Sequence, residues 1–354
     1  MKRLLRVLTA LLLSLGLTSC MDITEIREQA FIVGFGLDRT DTGELEINLM
    51  EIDMSGSGGG SEDSSKTQEQ KFLIRTARGA DIPECLRKIR MRLQKQLSLD
   101  KVTFVVFGEK LARSGISPYL DFLVRSPYID QTVHVLITPD PKELLRKDQG
   151  SLNRFASKGH AFVPAYIPTR LWQVNKYATS SFKSIHLNRF KMIEGELNFE
   201  GESFLLKDKL VTQLDGIESR LFNILYGKDS QQVILYLDPE HQTSVQIGSV
   251  RRKISLTPER VHLVYRIQCE ILESKEKSPY SNILALEEKA NRYWEKELTR
   301  IINRTKAKGL DILGLGEKFQ SRGWDTSDWE EKIKKLDVSL EVKLDILSPA
   351  GKRD

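Results

Sequence analysis

Asp337-Val-Ser-Leu-Glu-Val-Lys-Leu-Asp-Ile-Leu347 alternates polar and apolar residues from Asp337 through Ile346. Val338, Leu340, Val342, Leu344 and Ile346 fall on one side of a strand, the polar residues on the other. Such alternation packs one face and wets the other, a pattern typical of antiparallel sheet. The stretch Val261-His-Leu-Val-Tyr-Arg-Ile-Gln-Cys-Glu-Ile-Leu272 repeats it through Val261, Leu263, Tyr265, Ile267, Cys269 and Ile271, and Val245 to Ile254 is a further strand. Ser281 to Lys306 reads as a long helix with Leu284, Ala290, Trp294, Leu298, Ile301 and Ile302 near one face. Glu288 and Arg292 stand one turn apart on its wet side. The C-terminal half therefore reads as α+β, a long helix packed on a mostly antiparallel sheet.

Working back toward the N-terminus, strands alternate with helices. Phe31 to Leu37 and Leu45 to Ile52 are strands joined by the turn Asp41-Thr-Gly43, and Phe72 to Thr76 resumes the strand pattern. Between them Ser55-Gly-Ser-Gly-Gly-Gly-Ser-Glu-Asp-Ser-Ser65 has nothing to bury and is expected to be a mobile loop. Asp81-Ile-Pro-Glu84 has the form of a helix start, with Asp81 as N-cap. The helix then presents Leu86, Ile89, Leu93 and Leu97 on one face, and Arg87, Lys88, Arg90, Arg92 and Lys95 form a solvated face. A strand Val102 to Phe107, a helix near Ile116 to Val124 and a strand Gln131 to Thr138 follow. This half reads as mixed α/β. Residues 150–191 are less regular, with one amphipathic helix around Pro168 to Tyr177; Glu196 to Val211 is a hairpin turning near Lys207-Asp208.

At 354 residues the chain is expected to form two or three globular units. The division adopted is 1–20 as leader, 21–193 as the N-terminal mixed α/β domain and 194–354 as the C-terminal α+β domain. Formal charge is +5; losing Lys2, Arg3 and Arg6 with the leader lowers it by 3 to +2, which is no polyanion-binding signature. No nucleic-acid partner is expected. Of the three cysteines, Cys85 and Cys269 read as buried free thiols.

The third cysteine closes an export signal. Met1-Lys-Arg-Leu-Leu-Arg6 is basic, and Val7 to Leu17 is apolar but shorter than the roughly 20 residues a membrane helix needs. It ends in Leu17-Thr18-Ser19-Cys20, which matches a bacterial lipobox. Small residues let the chain lie extended in a peptidase, and the Cys20 thiol is the nucleophile that takes a diacylglyceryl group. Two acyl chains anchor stably where one gives only marginal binding. The expectation is a lipoprotein carrying S-diacylglycerol and an N-acyl group such as palmitate on Cys20, on the outer leaflet of the cell membrane.

No catalytic signature accompanies this. There is no Walker loop, dinucleotide fingerprint, zincin helix or nucleophile elbow. Gly34-Phe-Gly36 and Gly314-Leu-Gly316 are bare fragments suited to turns or close backbone packing. Ser98-Leu-Asp-Lys101, Ser180-Ser-Phe-Lys183 and Ser274-Lys-Glu-Lys277 match S-x-x-K with no K-T-G beside them. His134, His160, His186, His241 and His262 never fall at ligand spacing, so no metal or cofactor is expected.

Taken in order, the motifs resemble the spore germination lipoproteins, the C subunits of nutrient germinant receptors. Cys20-Met-Asp-Ile-Thr-Glu-Ile26 resembles that family's C-W-D-x-x-E-[IL], with Met21 in place of Trp. Phe31-Ile-Val-Gly-Phe-Gly-Leu-Asp38 is similar to its V-V-G-I-G-I-D, Val102 to Ile116 to its strand-then-helix stretch, and Arg125-Ser-Pro to its R-D-P. Lys207 to Leu210 resembles its K-D-K-L hairpin tip, and Asp311-Ile-Leu-Gly-Leu-Gly-Glu317 its D-I-x-G-x-G motif after a long helix. Asp130 stands where a basic residue is common, and residues 150–191 match weakly.

The resemblance implies mixed α/β units in series and a non-enzymatic receptor component. It implies a place in the spore inner membrane beside two integral membrane subunits, an A-type and a transporter-like B-type. The competing reading is a substrate-binding lipoprotein of an importer, which requires two similar α/β lobes; a lipid-anchored hydrolase has no motif in its favour.

Overall fold

A computed structural model describes residues 28–54, 71–148, 150–158, 167–226, 233–240, 242–275 and 279–347. The leader with Leu17 to Cys20, the motif after it and the Ser55 to Ser65 stretch lie outside the described residues.

Nine strands form the first sheet: β1 (Gln29–Arg39), β2 (Leu45–Ile52), β3 (Phe72–Gly79), β4 (Gln96–Ser98), β5 (Phe104–Gly108), β6 (His134–Thr138), β7 (Ile185–Ile193), β8 (Glu196–Leu206) and β9 (Lys209–Leu214). Their order is β3-β2-β1-β5-β6-β7-β8-β9, with β4 beside β1. The centre is parallel, β1 to β5 to β6 to β7, and both flanks are antiparallel. Parallel strands are covered on both faces, so β5 and β6 are buried at every position and read as short apolar runs rather than alternating ones.

Helices α1 (Ile82–Arg90), α2 (Glu109–Ser114), α3 (Ser117–Arg125) and α6 (Leu171–Ala178) cover one face, packing Leu86, Leu111, Leu123 and Val174 against Phe35, Val105, Phe107 and Ile137. Helices α4 (Pro141–Lys147) and α5 (Ser151–Lys158) cover the other, where Leu144, Leu145 and Leu152 meet Phe104, Val106, Leu136 and Phe190. The sheet continues across position 193, since β7 and β8 pair from Ile185↔Leu205 to Ile193↔Glu196.

Helix α1 starts as expected, with the Asp81 carboxylate accepting from Glu84 N at 2.8 Å. It ends sooner than expected, at Arg90, and Leu97 belongs to β4. Gln96-Leu97-Ser98-Leu99 also satisfies a two-residue period, and pairing Gln96 with Gln29 buries Leu97 and Leu99 in the same core. Cys85 and Cys269 are both buried and free.

The second sheet orders β10 (Ile234–Tyr236), β11 (Thr243–Leu256), β12 (Arg260–Ser274) and β13 (Asp337–Leu347). The first two pairings are antiparallel, but β13 lies parallel to β12, from Arg260↔Asp337 to Glu270↔Leu347. Alternation reveals which residues share a face, not which way the neighbour runs. Direction is set by the crossover, here the long helix α8 (Ile283–Lys306). Trp294, Leu298, Ile301 and Ile302 of α8 are buried against Leu263, Tyr265 and Ile267. Leu284 is 75 % exposed instead of packed, because it precedes the point where the helix meets the sheet. Helix α7 (Gly216–Tyr226) and the short helices α9 (Leu315–Gln320) and α10 (Trp329–Lys335) complete this core, which also takes in Phe204 and Leu214 of the first sheet.

Candidate functional site

The residues that carried the sequence motifs do not converge on one pocket. Three aspartates among them each hold a junction of the fold. Asp38, at the end of β1, accepts from Arg39 N at 2.8 Å and from the backbone of Leu111 in α2. Gly108 begins that helix without a side chain because a Cβ there would lie 2.1 Å from Asp38 Oδ1. Burial pushes the Asp38 carboxyl up to about 6, against the two backbone donors.

Asp208 sits at the tip of the β8–β9 hairpin. Its carbonyl accepts from Ile116 N at 3.0 Å and its carboxylate from Ser117 N at 3.3 Å, at the start of α3. Gly115 has φ of 117°, and a Cβ on it would meet Asp208 Oδ2 at 2.7 Å. Further along the hairpin, Gln213 Nε2 donates to Glu109 Oε1 at 2.8 Å. The hairpin thus closes over helices α2 and α3 through polar contacts.

Asp311 is the most enclosed of the three. Its carboxylate accepts from Leu315 N at 2.9 Å, Gly316 N at 2.7 Å and Trp329 Nε1 at 3.1 Å. Its own N–H donates to Ser184 Oγ at 2.9 Å. Gly314 takes φ of 65° to turn the chain into α9, and a Cβ on Gly316 would press within 2.6 Å of Phe182. Phe319 is met edge-on by Trp324 and Trp329, each at 5.0 Å between ring centres. Desolvation raises the Asp311 carboxyl to about 6 despite the donors. Both G-x-G fragments thus serve close packing, since a Cβ on Gly34 would meet Phe104 at 2.4 Å.

A buried polar cluster escaped the sequence reading. Asn188 Nδ2 donates to Glu202 Oε1 at 2.6 Å, Ser219 Oγ accepts from Glu202 N at 2.8 Å, and His186 Nδ1 lies 3.3 Å from Thr169 Oγ1 and 3.9 Å from Glu202 Oε2. Burial raises the Glu202 carboxyl well above its ordinary value, against the Asn188 donor, and drives His186 down to about 4, so the imidazole is neutral at pH 7. The available signal was period two: Glu202 and Phe204 share a face, as do His186 and Asn188 across the pairing. Beside this cluster a pocket of about 270 Å³ opens between Tyr177, His186, Tyr226 and Arg252, where Lys183 bridges to Glu317 at 2.9 Å. A second pocket, of about 460 Å³, lies across residues 180–184 against Trp329.

His134 is buried in β6, and His262 is half-buried with Nδ1 2.9 Å from Ser339 Oγ. Among the described residues no three His, Cys, Asp or Glu side chains gather as a metal site. The basic positions of α1 are solvated: Lys88 pairs with Glu84 at 2.8 Å, and Arg87 and Arg90 are exposed.

An N-terminal mixed sheet with helices on both faces, followed by a smaller sheet carrying one long helix, defines a two-part mixed α/β and α+β protein whose motif residues hold its junctions. The chain belongs to the spore germination protein family. Residues 22–187 match the spore germination protein N-terminal domain, and residues 201–349 match the family described as spore germination B3/GerAC like, C-terminal. The chain is 22 % identical to spore germination protein KC of Bacillus subtilis (strain 168) over 391 aligned positions, covering 97 % of this chain and 94 % of that one. It is 28 % identical to spore germination protein YfkR of the same organism over 152 residues, 42 % of this chain and 38 % of that one. The crystal structure of the GerBC protein has the same fold, with a TM-score of 0.57 at 15 % identity, covering 92 % of this chain and all of that one.

Proposed function

We propose that this chain is a lipid-anchored, non-enzymatic subunit of a nutrient germinant receptor in the spore inner membrane. It triggers germination by forming a complex with A-type and B-type integral membrane subunits. The observation that carries this reading is family membership across both halves of the chain behind the lipobox Leu17 to Cys20. Among the described residues no helix is long and apolar enough to cross a membrane. A lipid on Cys20 confines the chain beside its membrane partners and raises their effective concentration. The importer reading is disfavoured by architecture: a nine-stranded mixed sheet and a four-stranded sheet are not two similar lobes.

Deleting the gene tests the proposal. The nutrient response of its own receptor is then lost, while triggers that bypass receptors still work. Cys20→Ala blocks lipidation and moves the protein out of the membrane fraction or leaves it as precursor. Tight amino-acid or sugar binding by the isolated chain in calorimetry, with germination intact after deletion, supports the importer instead.

A further inference from the structure

We propose that the loop at residues 126–133 and the start of helix α6 rest on the headgroup layer of the membrane, with Trp172 and Tyr128 seated in it. This builds on the reading of Cys20 as the anchor. Strand β1 starts at Gln29, level with Gln96 of β4. Strands β5 and β6 run parallel to β1, with Phe104 opposite Gly34 and His134 opposite Phe104, so the segment leading into β6 lies at this same end. Trp172 is tied there by its backbone N–H, which donates to Gln131 O at 3.0 Å, and Tyr128 precedes Gln131 in the same loop.

These two rings are 47 % and 64 % exposed, although Leu171, Val174 and Tyr177 of the same helix α6 are buried. Of the four tryptophans, Trp294 and Trp329 are buried and Trp324 half-buried, so Trp172 is the one in the exposed class.

The tether selects the occupant. From Cys20 to Gln29 a fully extended chain spans at most about 30 Å, so this end of β1 stays within that reach of the bilayer. The far end of β1 is about 35 Å further along the strand. Tyrosine and tryptophan pair an apolar ring with one polar group and settle at headgroup depth.

The lipidated full chain in phosphatidylethanolamine–phosphatidylglycerol vesicles with brominated acyl chains supplies the test, read by tryptophan fluorescence. The expected result is quenching that disappears in Trp172→Phe, together with slowed amide exchange over residues 126–133. If the chain floats with the vesicles while Trp172 is unquenched, the contact is refuted and the anchor stands. If the chain fails to float, the anchor and the contact fall together. Protection of Trp172 without quenching, seen when integral partner subunits are added, assigns this face to a protein and also overturns the proposal.

Discussion

The carboxylate of Glu287 accepts a hydrogen bond from the backbone N–H of Ile346 at 2.8 Å, and the contact repeats along both elements. Asn291 Oδ1 takes Leu344 N at 2.8 Å and Glu295 Oε1 takes Val342 N at 2.9 Å. Four residues of helix rise about 6 Å and two residues of strand about 6.6 Å, so the two ladders keep step. Strand β13 is the last in its sheet, and unpaired edges invite aggregation. Helix α8 covers that edge with side chains in place of another strand.

Glu287→Ala is therefore expected to cost about 1–3 kcal/mol, since it leaves a donor of β13 without its charged acceptor. Replacing Glu287, Asn291 and Glu295 together is expected to cause aggregation as well as instability. Glu288→Ala, which breaks only the exposed pair with Arg292, leaves stability nearly unchanged. Urea unfolding and light scattering check this; equal effects at positions 287 and 288 contradict it.

Asp311 gives the protein a defined pH dependence. Its folded-state carboxyl titrates at about 6 and its reference value is 3.8, so between these values the folded state holds more protons than the unfolded one. Its contribution is complete below about pH 4 and is lost as pH rises through 6, on the order of 3 kcal/mol. Asp311→Asn removes this slope. Relative to the parent, the variant is expected to gain stability as pH rises from 4 to 7. Parallel stability curves for the two proteins refute this.

Gly34→Ala is expected to destabilise by about 1–3 kcal/mol, because the added methyl meets a fully buried Phe104 ring that has no room to move. Gly248→Ala, where the nearest atom is 3.5 Å away, is the matched control and shifts the unfolding midpoint little. Indistinguishable midpoints for the two variants contradict this packing account.

Burial pushes the Cys85 thiol up to about 11 and the Cys269 thiol up to about 12. In the lipidated protein at pH 8, neither is expected to react with a maleimide until urea unfolds the chain. Rapid labelling of either thiol in the folded state shows that its burial is broken.

Period and punctuation made much of this fold legible. The alternation of Val261 to Leu272, the apolar row on α8 and the cap at Asp81 are local, and local signals survive into the structure. Relationships between distant segments were hidden. Whether β13 runs with or against β12 depends on a crossover, not on its own pattern. Glu287, Asn291 and Glu295 form a row beside Ala290, Trp294 and Leu298, but their strand partners lie about fifty residues away. Asp38, Asp208 and Asp311 were visible as motif members, while the junctions they hold depend on how the chain folds back. The buried cluster at Glu202 was masked by neighbouring glutamates of the same hairpin, of which Glu194 and Glu196 are exposed in the ordinary way.

The central claim is that this chain acts as a receptor subunit among membrane proteins. Co-purification of the tagged chain from detergent-solubilised spore membranes tests it most directly. The A-type and B-type integral subunits are expected to come with it, and to be lost when Cys20→Ala prevents anchoring. Recovery of the lipidated chain alone, or with an importer's permease and ATPase, would contradict it.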